Sequence, residues 1–296
     1  VLADDAIDFL NDSKQLNQPY FMYLSFNAPH DPRQAPKSFL ELYPLESISI
    51  PENYAPQHPH YKEIGNVPGL RDEALAPYPR SKFAVKKHIQ EYYAAISHLD
   101  EQVGRVIKHM ENENMLENTY IVFTSDHGLS VGQHGLIGKQ SLYDHSIRVP
   151  MIITGPGITK NKIIKEDIYL QDVMPTILDL ADIQVPSSVD FKSLKTMLFE
   201  KKNEKLYDSI YGTFGCCSTE NYIDFQRMIR KDDFKLMLFP INKRLELYDL
   251  KNDPYEINDL AIQDEYKDKI KNLFDDLVEL QKKVKDTLDL TEIFGI

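Results

Sequence analysis

Residues 81–128 constrain the fold more tightly than any other stretch. Phe83, Ile89, Tyr92, Tyr93, Ile96, Leu99, Val103, Val106, Ile107 and Met110 recur at steps of three and four, the spacing that lines one face of a long helix with apolar side chains. The chain then runs into residues 119–124, a β-branched and aromatic segment of strand length, and leaves it through Ser125–Asp126–His127–Gly128. The same alternation recurs on either side. Ala3, Ala6, Ile7 and Leu10 predict an opening amphipathic helix, and residues 20–26 a buried strand. Residues 149–153 predict a third strand, stopped by Gly155–Pro156–Gly157, and residues 171–181 a helix with Pro175 in its first turn. Helix alternating with apolar strand predicts an α/β fold with a mostly parallel sheet flanked by helices. Ligands of such sheets bind beyond the carboxyl ends of the strands, the edge to which this pattern assigns the loops at His30 and Asp126.

From about residue 205 the texture changes to short strands at residues 208–213, 226–230, 234–239 and 244–248, followed by a helix over 266–284 whose Ile270, Leu273, Leu277, Leu280 and Val284 share a face. The pattern predicts a small antiparallel sheet packed on a helix, and a division into residues 1–205 and 206–296. Residues 29–79 carry ten prolines. They can be neither continuous helix nor central strand, and are expected to wrap the surface near the site.

The net charge of −12 argues against nucleic acid, which needs clustered Lys and Arg. No run approaches the eighteen or so apolar residues of a membrane helix. Cys216 and Cys217 are adjacent, so no disulfide framework is visible and two thiols in or beside a strand is the plain reading. Residues 1–10 hold Asp4, Asp5 and Asp8 and no initiator Met. They do not read as a signal peptide, and the chain reads as one entered in the middle.

The densest chemistry lies in residues 125–139: Asp126, His127, His134, Lys139 and four glycines. Asp126 and His127 leave a strand directly, and Gly128 permits the kink that would turn both toward one cation. A carboxylate oxygen plus imidazole suits a divalent metal. Taken alone, Asp126–His127–Gly128 reads first as a plain strand exit, and His30 as a loop histidine whose direction Pro29 and Pro32 restrict. Lys139 is a surface lysine or, in a partly desolvated pocket, a point charge for an anionic oxygen. His134 and His145 fit either loop packing or roles behind or against a substrate. Asp31 and Arg33 are weaker candidates for a pocket wall. His88, His98 and His109 are expected as ordinary helix histidines.

Taken in order, residues 21–32, residues 125–157 with Lys139, Tyr143–Asp144 and Arg148–Val149–Pro150, residues 230–235, and residues 247–250 with 253–256 resemble the sulfatases of the alkaline-phosphatase superfamily, most closely the iduronate- and choline-sulfatase branch. The resemblance implies hydrolysis of a sulfated small molecule or sulfated sugar. Asp126 and His127 would complete a site for one Ca2+, and His30 and Lys139 would hold the sulfate group, one of them protonating the leaving alkoxide. It implies a formylglycine nucleophile from a Cys/Ser-x-Pro-x-Arg motif. That motif does not occur in these 296 residues, since Cys216–Cys217–Ser218–Thr219–Glu220 lacks both the Pro and the Arg. The nucleophile and the remaining metal carboxylates are therefore expected in a missing N-terminal segment, and this chain alone is expected not to turn over sulfate esters. A companion N-terminal segment or self-association, and a periplasmic or secreted location with a cytoplasmic one also compatible, follow as expectations. A zinc phosphodiesterase or pyrophosphatase of the same superfamily, and a non-catalytic fragment or subunit, are the competing readings.

Overall fold

The structure, a computed structural model, describes residues 1–62, 70–199, 205–215 and 226–296. Cys216 and Cys217 lie outside the described residues. The chain forms two compact units. One comprises Val1–Ile50, Ser81–Ile121 and Ile153–Pro156; the other comprises Pro51–Arg80, Val122–Ile152 and Gly157–Ile296.

In the first unit, α1 (Leu2–Leu16) buries Ala3, Ala6 and Leu10 against Val106 and Met110 of α3 (Lys82–Asn112). Between them in sequence lies the short α2 (Lys37–Leu40). The hydroxyl of Ser81 accepts the Ala84 N–H and caps α3, a contact of about 1 kcal/mol at a helix N-terminus. The apolar stripe marked the helix correctly but only part of its buried face. Ile89, Val106 and Met110 are buried, together with Val85, Ala94 and Ala95, whereas Phe83, Tyr93 and Ile96 are exposed.

Residues 20–26 correct a second expectation. They run extended but are not assigned to a hydrogen-bonded strand. Tyr20, Met22 and Leu24 pack on the α1–α3 cluster, while Phe21 and Tyr23 are 67% and 83% exposed. Alternate side chains of an extended segment point to opposite faces, so one face packs and the other presents aromatic surface. The isolated chain is accordingly expected to self-associate at micromolar concentration. Light scattering that returns a monodisperse monomer would contradict this.

β1 (Ile121–Thr124) and β2 (Met151–Thr154) form a two-stranded sheet. The loop between them contains the short α4 (Asp144–Ile147). After a turn at Leu170–Asp172 comes α5 (Val173–Leu180), with Pro175 in its first turn as expected, and then α6 (Lys195–Phe199).

The C-terminal part of the second unit is an antiparallel meander of β3 (Ile210–Phe214), β4 (Gln226–Lys231), β5 (Phe234–Phe239) and β6 (Arg244–Asp249), in that spatial order. Register aligns Tyr211, Ile229, Leu236 and Leu247 across all four strands. This row meets Ile270, Leu273, Phe274 and Leu277 of α7 (Lys267–Val284); α8 (Leu290–Phe294) ends the chain. The opposite face, with Met228, Met237, Phe239 and Tyr248, packs on Leu136, Leu142 and Tyr143. Both faces of the sheet are therefore covered, and the polar residues its strands carry, such as Arg227, Lys235 and Glu246, are buried with them. The cover on the second face is the β1–β2 loop that carries Lys139.

Candidate active site

Asp126 and His127 leave β1 in a tight local network. The Asp126 Oδ1 accepts the His127 N–H at 3.0 Å, and the Ser125 hydroxyl donates to the His127 carbonyl at 2.9 Å. The His127 Nδ1 lies 2.8 Å from the Gly128 carbonyl oxygen. A carbonyl can only accept, so Nδ1 carries the proton and the Nε2 of the neutral ring keeps its lone pair. That Nε2 is 3.4 Å from the Asp126 Oδ2, and the Asp126 carboxylate is 84% exposed. The Gly128 N–H donates to the Ser146 carbonyl at 2.7 Å. A Cβ at Gly128 would stand 2.1 Å from the His145 carbonyl oxygen, so only glycine allows the loop to close here.

These features fit a cation. Two ligands about 2.4 Å from one ion and at a right angle lie about 3.4 Å apart, close to the spacing found. Metal-bound imidazoles usually give their other N–H to a carbonyl or carboxylate, as His127 does. The donor set is partial: among the described residues, no group of three or more His, Cys, Asp and Glu is arranged to hold a metal.

The loop closes on itself where the Ser130 N–H donates to the Gly138 carbonyl at 2.8 Å, and Lys139 follows. Its ammonium stands 3.8 Å from the Asp72 Oδ2; the lysine side chain is 23% exposed and the aspartate 4%. The Lys139 N–H donates to the Gln140 Oε1 at 2.9 Å, and the Gln140 amide donates to Asp72 at 2.7 Å. Lys139 is thus a half-buried, oriented cation rather than a free surface lysine. Asp72 escaped the sequence reading because nothing in a proline-rich loop signals a carboxylate that packs beneath a residue 67 positions away.

His30 belongs to the first unit, whereas Asp126, His127 and Lys139 belong to the second. The His30 Nδ1 is 2.9 Å from the Asp31 carbonyl and 3.1 Å from its Oδ1, so this ring too holds its proton on Nδ1 when neutral. Arg33 turns back to α3, donating to the His88 Nδ1 at 2.7 Å and lying 5.9 Å from the Tyr92 ring centre.

His134 and His145 pack around Tyr143. His134 stacks on the Tyr143 ring at 4.1 Å and 14°, and the His145 ring is 5.7 Å from it. His58, which carried no signal, joins them through its Nε2, 3.0 Å from the Tyr143 hydroxyl. Burial is the largest influence on all three and drives them toward the neutral form, His58 and His134 to about 3.

The sequence matches the family profile described as Sulfatase over residues 1–183 and that described as N-sulphoglucosamine sulphohydrolase, C-terminal, over residues 132–283. It is 32% identical to an arylsulfatase of Clostridium perfringens over 91% of this chain and 54% of the relative. It is 34% identical to an N-acetylglucosamine-6-O-sulfatase of Bacteroides thetaiotaomicron over 68% of this chain and 37% of the relative. The chain spans about half the length of the arylsulfatase and of a similar sulfatase from Formosa agariphila. A solved structure in complex with its substrate D-glucosamine-2-N,6-O-disulfate superposes with a TM-score of 0.81 at 26% identity, covering 97% of this chain and 69% of the other. The α/β architecture is the alkaline-phosphatase-like one of such enzymes. With the Sulfatase profile covering more than half of the residues, the chain belongs to the sulfatase family.

Proposed function

We propose that this chain supplies part of the site of a sulfate-ester hydrolase. In this reading Lys139 binds the sulfate oxygens, His30 gives a proton to the leaving oxygen, and Asp126 and His127 are two ligands of a calcium ion. The observation that carries it is the Asp126–His127 pair, whose free imidazole lone pair and carboxylate oxygen stand 3.4 Å apart.

Cleaving a sulfate ester builds charge on the leaving oxygen. Cations and donors set in advance around that charge lower the barrier. Lys139 enters already oriented through Asp72 and Gln140, so little ordering is left for the moment of reaction. The Asp31 carbonyl and carboxylate, 2.9 and 3.1 Å from the His30 Nδ1, orient the ring so that its Nε2 is the nitrogen left to serve the leaving oxygen. A bound divalent cation supplies positive charge opposite the sulfate group. The formylglycine nucleophile and the remaining metal carboxylates are proposed to come from the part of the relatives that this chain does not span. Residues 1–205 are then the chain's share of the catalytic α/β domain, and residues 206–296 a C-terminal subdomain that backs the Lys139 loop.

Sulfated sugars are the favoured substrates. The structural relative at 26% identity holds a sulfated glucosamine as its substrate, and one sequence relative is named for a sulfated N-acetylglucosamine. In the complete protein, Lys139→Ala is expected to lower kcat/KM for 4-nitrophenyl sulfate by about 10²–10³-fold. A rate within twofold of wild type would sink the assignment, as would two zinc ions per chain by metal analysis.

A further inference from the structure

We propose that Glu73 is a positioning residue for Lys139, acting through the backbone immediately before it. The proposal rests on the reading of Lys139 as the sulfate-binding cation. Glu73 opens a short turn, Glu73–Leu75, and is 0% exposed. Its Oε1 accepts the N–H groups of Ile137 and Gly138 at 3.2 and 3.1 Å. These are the two peptide units that lead into Lys139. Its Oε2 accepts the Tyr78 hydroxyl at 2.8 Å and the Arg80 guanidinium, itself fully buried.

A buried carboxylate needs such compensation, but Arg80 and Tyr78 engage only the far oxygen. The near oxygen is spent on the backbone of the Lys139 loop. Two neighbouring N–H groups converging on one oxygen define the direction of the chain at residues 137–138, and hence where the Lys139 side chain starts. Asp72, adjacent in sequence, then holds the other end, its carboxylate facing the ammonium. The two consecutive carboxylates grip Lys139 at backbone and at side chain.

Gly138 fits the same arrangement. A Cβ there would stand 2.3 Å from the Gln140 Oε1, 3.0 Å from the Asp72 Cβ and 3.2 Å from the Glu73 Oε1. Glycine at this position is what lets both carboxylates approach the loop this closely. Misplacing a binding group by an ångström is enough to cost up to a hundredfold in function.

The test titrates inorganic sulfate into the complete protein by calorimetry, with ionic strength held by chloride. Removing Glu73 alone would strand Arg80, so the variants carry Arg80→Met. Glu73→Gln/Arg80→Met keeps an acceptor for the two N–H groups and is expected to bind sulfate within about threefold of wild type, whereas Glu73→Ala/Arg80→Met loses at least about tenfold. Gly138→Ala, which keeps every charge, is expected to lose about tenfold as well. A purely structural role would lower the melting temperature of the alanine double variant and leave the sulfate affinity of the folded protein unchanged, which overturns the proposal. Gly138→Ala binding as wild type overturns it too, and does so even if the double variants fail to fold. Lys139→Ala separates the two levels. If wild type binds sulfate and Lys139→Ala binds it equally well, or if wild type does not bind it, the Lys139 reading falls and this proposal with it. If only Lys139→Ala loses binding, the Glu73 proposal alone fails.

Discussion

Replacing Lys235 with methionine is expected to destabilise the second unit by about 3–5 kcal/mol, the usual effect of removing one partner from a buried ion pair. Lys235 is fully buried in β5. Its ammonium is 2.7 Å from the Asp144 Oδ1 and 2.5 Å from the Glu256 Oε1. The other Glu256 oxygen accepts the Asp144 N–H at 2.7 Å, at the start of α4. Register places Lys235 directly opposite Arg230 on β4, a like-charge pair that would by itself be unfavourable. Asp144 resolves it by also meeting Arg230 at 3.4 Å, and Asp167 takes the Arg230 Nε at 3.0 Å. Burial pushes the Glu256 carboxyl up, with Lys235 opposing it. Methionine would leave Asp144 and Glu256 facing each other in a dry site. Urea denaturation should show a midpoint lower by about 1–2 M. Adding Asp144→Asn and Glu256→Gln should recover part of the loss, since neutral amides need no counter-charge. An unchanged midpoint for Lys235→Met would refute the account.

Acid should act at least as strongly through the histidines around Tyr143. The His58 Nδ1 accepts the His60 N–H at 3.0 Å, so its ring proton sits on Nε2, toward the Tyr143 oxygen at 3.0 Å. The Tyr143 hydroxyl donates to Glu246 at 2.7 Å. The His134 Nε2 accepts from the Asn53 amide at 3.1 Å. Neither ring can take a second proton without breaking a hydrogen bond. Burial first, then the His60 and Arg244 charges, hold His58 at about 3. Burial, then His58 and Lys235, hold His134 at about 3 against the opposing pull of Asp253 and the Tyr255 carbonyl. His145 lies well below the ordinary value for the same reason, with His134, Lys235 and His58 adding to burial.

In each case the folded value lies below the unfolded value of 6.5, so the unfolded chain binds the proton first. The stability is complete above about pH 6.5 and is lost as pH falls toward about 3. At about 1.4 kcal/mol per pH unit for each ring, His58 and His134 together remove about 5 kcal/mol by pH 4.5. Urea midpoints at pH 7.5 and 4.5 measure this loss. With His145 depressed as well, His134→Gln should remove about a third of the pH dependence, and a slope identical to wild type would rule the cluster out as its source.

Much of the architecture was legible from spacing alone. The four C-terminal strands and α7 fall within two residues of their expected limits, because hydrophobic period reports which local geometry a segment can bury. Asp126 and His127 stood out in the sequence as candidate chemistry at the exit of β1, Lys139 further along the same loop, and His30 after a segment that forms no hydrogen-bonded strand. Spacing failed where exposure depends on what lies alongside. Phe83 and Phe21 were expected inside and lie on the surface, since a stripe or a strand run does not say how far its partner extends. His134 and His145 left packing and function open, and both pack on Tyr143.

Local sequence determined the order of helices and strands, the turns that end them, and the residue types available at the proposed site, because period, capping and turn chemistry act over a few neighbouring residues. Tertiary structure alone decided which charges are matched. Lys235 reads as an ordinary strand lysine, yet it is buried between carboxylates 91 and 21 positions away in the chain, and Lys139 takes its direction from Asp72 and Glu73. A charge can be buried only where its counter-charge arrives with it, and that arrival depends on the folded path of the whole chain.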